Sequence, residues 1–152
     1  MNDWKTMAHT AKAYFKRGHG ADPVLVTDVN DLDQLIDALA AESWENSVAA
    51  LYVDGRLNQA GVPDHELLLA IDYENKTMSA LRYMGDDGTY FSKGNADDDD
   101  SVLYYYMGND REFPRDSVLP IADVRVAVRE FLQSGGERPT GVEWREWPVN
   151  VT

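Results

Sequence analysis

The chain has 152 residues, 27 acidic against 14 basic, for a formal net charge of −13. A chain of this length buries roughly 68–70% of the surface its unfolded form exposes, so one domain with a real core is expected without staples. The absence of cysteine excludes a disulfide framework, a cysteine nucleophile and thiolate metal sites.

Apolar positions Trp4, Met7, Ala8, Ala11, Tyr14 and Phe15 recur at helical spacing and stop at Gly18, which predicts an N-terminal helix. The run Val24-Leu25-Val26-Thr27 predicts a strand. A second helix follows, capped by Asn30 or Asp31, with the stripe Leu32, Leu35, Ile36 and Leu39.

From residue 47 the pattern changes to short runs bounded by turns. Strands are predicted at Val48–Val53, Glu66–Tyr73, Thr77–Met84, Thr89–Ser92 and Val102–Met107, with turns at Asp54-Gly55, Gly85-Asp86-Asp87-Gly88 and Gly108-Asn109-Asp110. A third helix opens with Pro120 at its first position, carries the stripe Ile121, Val124, Val128, Phe131 and Leu132, and ends at Gly135-Gly136. A last strand runs Val142–Trp147. Trp144 and Trp147 stand three apart on it and so belong to opposite faces. The expected class is α+β, an antiparallel sheet of five to seven strands built from hairpins, with two to three helices packed on one face.

The chemistry-bearing residues are few. His9, His19 and His65 are far apart and share no ligand spacing, so no metal site is expected. Gly18-His19-Gly20 lacks a dinucleotide fingerprint, and no phosphate-binding glycine loop or nucleophile elbow occurs, so neither a cofactor nor a catalytic residue is assigned. Glu66, Asp72 and Glu112 leave open an enzyme using carboxylates as acid and base, and a small ligand-binding or regulatory module is the other alternative.

Charge points elsewhere. A field this negative repels phosphate backbones and anionic lipid, so neither nucleic acid nor membrane is expected as a direct ligand, whereas a cationic protein is favoured. The same acidity also serves solubility. No apolar run approaches the roughly 20 residues that cross a bilayer, and the first five residues carry no signal pattern. A cytoplasmic protein is expected. The densest acidic feature is Asp97-Asp98-Asp99-Asp100. Such a run repels itself and stays extended, and a basic groove relieves that repulsion. Asp86 and Asp87 are candidates to extend the patch, and Tyr90, Tyr104 and Tyr106 are candidate contacts, because tyrosine dominates interface hot spots.

Several short motifs occur in a telling order. Asn109-Asp110-Arg111-Glu112-Phe113-Pro114 precedes Ser117-Val118-Leu119-Pro120. The third helix then closes with Glu130-Phe131-Leu132-Gln133-Ser134-Gly135-Gly136, followed by Arg138-Pro139 and Val142-Glu143-Trp144. Over residues 23 to 147 this arrangement resembles the immunity family numbered one among bacterial polymorphic-toxin immunity proteins. The resemblance implies a small cytoplasmic, non-enzymatic antitoxin that neutralises a cognate toxin, often a nucleic-acid deaminase. Phe113, Pro114, Phe131, Pro139 and Trp144 then read as structural. The residues before Gly18 lie outside the resemblance, and their role within a single domain spanning 1–152 is left open.

Overall fold

A computed structural model describes residues 6–95 and 100–147, with side chains from residue 9 onward. The elements run β1 (Thr6–Tyr14), β2 (Val24–Asp28), α1 (Val29–Ala40), β3 (Val48–Val53), β4 (Glu66–Ile71) and β5 (Met78–Gly85). There follow β6 (Gly88–Lys93), β7 (Ser101–Tyr106), β8 (Asn109–Pro114), β9 (Leu119–Pro120), α2 (Ile121–Gln133) and β10 (Glu143–Arg145). The principal sheet is antiparallel in the order β10-β6-β5-β4-β3-β1-β2, with the two-residue β9 pairing the start of β5 as an eighth strand. β7 and β8 form a separate two-stranded hairpin. The expected α+β class is the class found.

The helices cover one face of the sheet because their stripes match it. Leu32, Leu35, Ile36 and Leu39 of α1 and Val124, Val128, Phe131 and Leu132 of α2 are at most 2% exposed and share a core with Leu51, Leu67, Leu69 and Leu81. Asp28, rather than Asn30 or Asp31, caps α1: its Oδ1 accepts from the Asp31 amide at 2.8 Å. The Asp31 carboxylate turns back to accept from the Thr27 hydroxyl and amide, which hold its pKa down and favour the helix start. Pro120 lies in β9 and immediately precedes α2, which begins at Ile121. Arg125 ties the helices together by donating to Asp33 at 3.0 Å and Asp37 at 2.9 Å.

Two further expectations are corrected. The segment before Gly18 contains a strand in place of a helix, and it pairs on both sides, with β2 and β3. The helical spacing of Ala11, Tyr14 and Phe15 coincides with an alternation in which Ala11, Ala13 and Phe15 are buried while Lys12 and Tyr14 take the other face. Backbone pairing on both edges overrides the local helical pattern. Asn109 and Asp110 belong to a strand, and the turn is Met107-Gly108, with φ of 51° and 83°. Both residues are in the left-handed region, as a tight hairpin turn with the sheet's own twist requires.

The β7–β8 hairpin lies over the sheet's second face. Phe113 (0% exposed) meets Phe91 and Tyr104 edge-on at 5.2 Å and 5.0 Å, above Val48, Ala50, Leu68, Ala70 and Ala80. The two tryptophans divide as expected: Trp144 packs with Tyr83 on the helix side and Trp147 with Phe91 on the hairpin side. Because Phe113 is the centre of this second core, Phe113→Ala is expected to lower unfolding free energy by about 3–5 kcal/mol in urea titrations.

Candidate functional site

An open cleft of about 910 Å³ lies at one end of the sheet, bounded by β1, β3, β4, the end of β5 and the 54–65 loop. Strand register sets its floor. Lys12 pairs with Tyr52 and Glu66 with Met84, so these side chains leave the same face of the pleat. Tyr52 donates to Glu66 Oε2 at 2.5 Å and Arg82 donates to Glu66 Oε1 at 2.7 Å, so both carboxylate oxygens are engaged. Burial, and then the adjacent Glu66 carboxylate, push the Tyr52 phenol well above its ordinary range, and Tyr52 stays a proton donor.

At one wall Asp54 accepts from Lys12 and from the Thr10 hydroxyl, both at 2.6 Å. The Asp54 bond raises the Lys12 pKa. Partial burial works against the Asp54 charge, but the Lys12 and Thr10 bonds outweigh it and hold that pKa down. At the other wall His65, 3% exposed, accepts from the Val53 amide through Nε2 at 2.8 Å. Its proton is therefore on Nδ1, which faces Asp64 Oδ1 at 3.1 Å. Arg56 spans Asp64, Glu137 and the Gly135 carbonyl. Gly136 (φ 98°) ends α2 against His65 and Arg56, where a Cβ would stand 3.0–3.1 Å from both side chains.

The candidate residues are dispersed. Asp86 lies between the cleft and a neighbouring hollow, which Asp87 also lines together with Tyr83, Arg138 and Trp144. Tyr90 donates to the Asp87 carbonyl at 3.2 Å and lies under the Arg138 guanidinium at 4.0 Å. Tyr106 is half-buried on the inner face of β7, packed towards Tyr52, with Arg111 5.2 Å from its ring. Tyr104 is 3% exposed and belongs to the second core. Asp97, Asp98 and Asp99 lie outside the described residues. Asp100 faces Arg115, with 3.5 Å between carboxylate and guanidinium. The β6 strand separates the Asp86-Asp87 turn from the approach to Asp100; its six residues span roughly 17 Å. Asp86 and Asp87 are thereby set apart from Asp100 along β6.

The remaining candidates also stand apart. Asp72 accepts from the Glu74 and Asn75 amides in a turn, Glu112 is on the outer face of β8, and of the three carboxylates considered for catalysis only Glu66 lines the cleft. His19 caps a turn by accepting from the Phe15 and Lys16 amides. Among the described residues no group of three histidine or acidic side chains is placed to hold a metal ion, and no helix is long and apolar enough to cross a membrane.

Comparison with known families adds one match. The sequence profile of the family described as immunity protein Imm1 aligns with residues 20–146. The chain belongs to the Imm1 immunity-protein family. No curated protein matches the sequence. The Imm1 match covers every described element from β2 to β10 and begins after β1, so the strand between β2 and β3 comes from outside the matched region. A toxin-neutralising role is what membership of this family of immunity proteins indicates.

Sequence reasoning did not single out the outer face of the hairpin. Tyr105 faces away from Tyr104 and Tyr106, and its ring meets Trp44 edge-on at 4.8 Å. Leu103, two residues away on the same strand, is 44% exposed and Trp44 is 48% exposed. Strand alternation placed Tyr105 opposite its neighbours, but nothing local signalled that Trp44 would meet it.

His65 is the buried titratable group with the clearest pH consequence. Burial, assisted by Arg56, lowers its pKa below 6.5 despite Asp64. The unfolded chain then binds a proton that the folded chain does not. His65 therefore contributes full stability above its unfolded pKa and loses it as pH falls through 6.5 towards the lower folded value. In His65→Gln, where the amide oxygen can still accept from Val53, the dependence of unfolding free energy on pH between about 6.5 and 5 is expected to be shallower than in the parent. Equal slopes in the two proteins would contradict this assignment.

Proposed function

We propose that this chain is a cytoplasmic antitoxin that binds a cationic bacterial toxin, a nucleic-acid deaminase, and blocks its substrate entry with an acidic, tyrosine-bearing surface. Family membership carries this reading. A net charge of −13 supports it. An enzyme that extrudes a base from a polyanion needs a basic approach to its pocket, and an acidic protein competes for that approach. Opposite potentials accelerate encounter, while a few buried aromatic side chains slow dissociation.

Asp86, Asp87 and the Asp97–Asp100 run are the proposed steering charges, and Tyr90, which meets Asp87, and Tyr106 the proposed contacts. Tyr104 enters only as the residue that seats the hairpin, because it lies beneath β7.

The test uses the toxin domain encoded beside this chain, purified in an inactivated form for kinetics and in active form for inhibition. Association is expected to slow about tenfold or more between roughly 50 and 300 mM salt, with little change in dissociation. Asp97–Asp100→Asn is expected to slow association at low salt only. Association indifferent to salt would overturn the steering role, and undiminished deamination of a single-stranded substrate at saturating antitoxin would overturn the function.

A further inference from the structure

Among the described residues, the exposed apolar side chains Leu25, Tyr73 and Val126 lie on separate elements and Leu57 and Met84 line the cleft, while Trp44, Leu103 and the half-buried Tyr105 gather on the outer face of the β7–β8 hairpin. Leu103 and Tyr105 are successive outward residues, about 7 Å apart along the strand. Trp44 is held against Tyr105 from the side. The segment carrying it is fastened to β7, where the Ser47 amide donates to the Tyr105 carbonyl at 2.9 Å and the Tyr105 amide donates to Ser47 Oγ at 2.9 Å. On the far side of the turn the Gly108 amide donates to the Glu45 carbonyl at 2.9 Å. The indole is thus positioned before any partner arrives, and little side-chain entropy remains to be lost on contact.

The border of the patch is acidic. Asp110 and Glu112 pair with Tyr105 and Leu103 across the hairpin and so leave the same face, and Glu45 is exposed beside Trp44. Among the described residues, none of these three has an ion-pair partner. The cleft differs in this respect: Glu66, Asp54 and Asp64 are each engaged by Arg82, Lys12 and Arg56. A cation reaching the cleft floor must displace a resident cation and passes only Asp86 on the rim, whereas one approaching the hairpin meets three carboxylates outside any ion pair among the described residues, grouped beside a half-exposed indole.

We propose that the outer face of the β7–β8 hairpin, with the Trp44–Tyr105 pair as its aromatic anchor, is the surface that docks the toxin, and that its occupant is an arginine-bearing protein surface. Arginine suits the site because a guanidinium stacks on indole while its edge donates to flanking carboxylates. Leu103 adds exposed apolar surface next to Tyr105 on the same face. A second copy of the chain fits poorly, since the same three carboxylates would face one another. This inference rests on the antitoxin reading and moves the contact surface from Tyr90 and Tyr106 to the hairpin's outer face.

The probe is the inactivated toxin domain encoded beside the chain. Trp44→Ala is expected to raise Kd about 30-fold or more, chiefly through faster dissociation. The triple variant Glu45→Gln, Asp110→Asn, Glu112→Gln is expected to slow association several-fold at low salt and to match the parent at high salt. Leu103→Arg, at a solvated position, is expected to weaken binding comparably with an unchanged melting temperature, which separates contact loss from misfolding. Amide exchange in the complex is expected to protect residues 101–112 more than the cleft strands. Parent protein that binds while all three variants bind equally well overturns this docking face and leaves the antitoxin reading standing. Parent protein that binds no toxin overturns both, and sedimentation showing the patch buried in a stable dimer overturns the docking face alone.

Discussion

Strands β3 and β4 are apolar on both faces, and that constraint organises the rest of the molecule. Leu51, Leu67 and Leu69 point one way while Val48, Ala50, Leu68 and Ala70 point the other, all at most 2% exposed. An antiparallel sheet that kept one face in water would place polar residues there. This one requires two covers, the helices on one side and the β7–β8 hairpin on the other. The hairpin is short and amphipathic, so burying Tyr104 and Phe113 forces Leu103, Tyr105, Asp110 and Glu112 outward. The apolar demand of the sheet thus generates a rigid, acidic, aromatic-bearing outer surface.

The acidic side chains fall into two physical classes. Three on the cleft floor and walls are engaged within the fold: Glu66 by Arg82 and Tyr52, Asp54 by Lys12 and Thr10, Asp64 by Arg56. These pairs hold the strand ends and the end of α2 around the buried, neutral His65. Those on the hairpin rim form no ion pair among the described residues; the nearby Arg111 guanidinium donates to the Asp110 backbone carbonyl at 2.9 Å instead of to a carboxylate. Net charge distinguishes neither class, because it sums both. Charges that a fold neutralises locally contribute little to the field a partner meets, and the unpaired ones dominate steering.

Much of the architecture was legible because the periodicities are clean. The stripe of α1 at Leu32, Leu35, Ile36 and Leu39 and that of α2 at Val124, Val128, Phe131 and Leu132 are the buried faces observed. The runs at 48–53, 66–71 and 102–106 are strands. Errors occurred where two periods coincide or where turn-forming residues stand beside a strand. Ala11, Tyr14 and Phe15 satisfy helical spacing, yet Ala11, Ala13 and Phe15 also satisfy alternation, and pairing partners 40 residues away decide between them. Asn109 and Asp110 resemble turn residues, but they open a strand because Met107 and Gly108 already complete the reversal.

The candidate site was less legible for a related reason. Composition by itself determines that the protein is strongly acidic, free of cysteine and able to fold around an apolar core, and motif order identifies its family. These are sums and local patterns along one chain. Which carboxylates are silenced, which tyrosine is core and which is surface, and that Trp44 meets Tyr105 across 61 positions depend on how the hairpin lies over the sheet. Only the tertiary structure decides such contacts, because they arise from packing between segments whose separation in sequence carries no information about their distance in space.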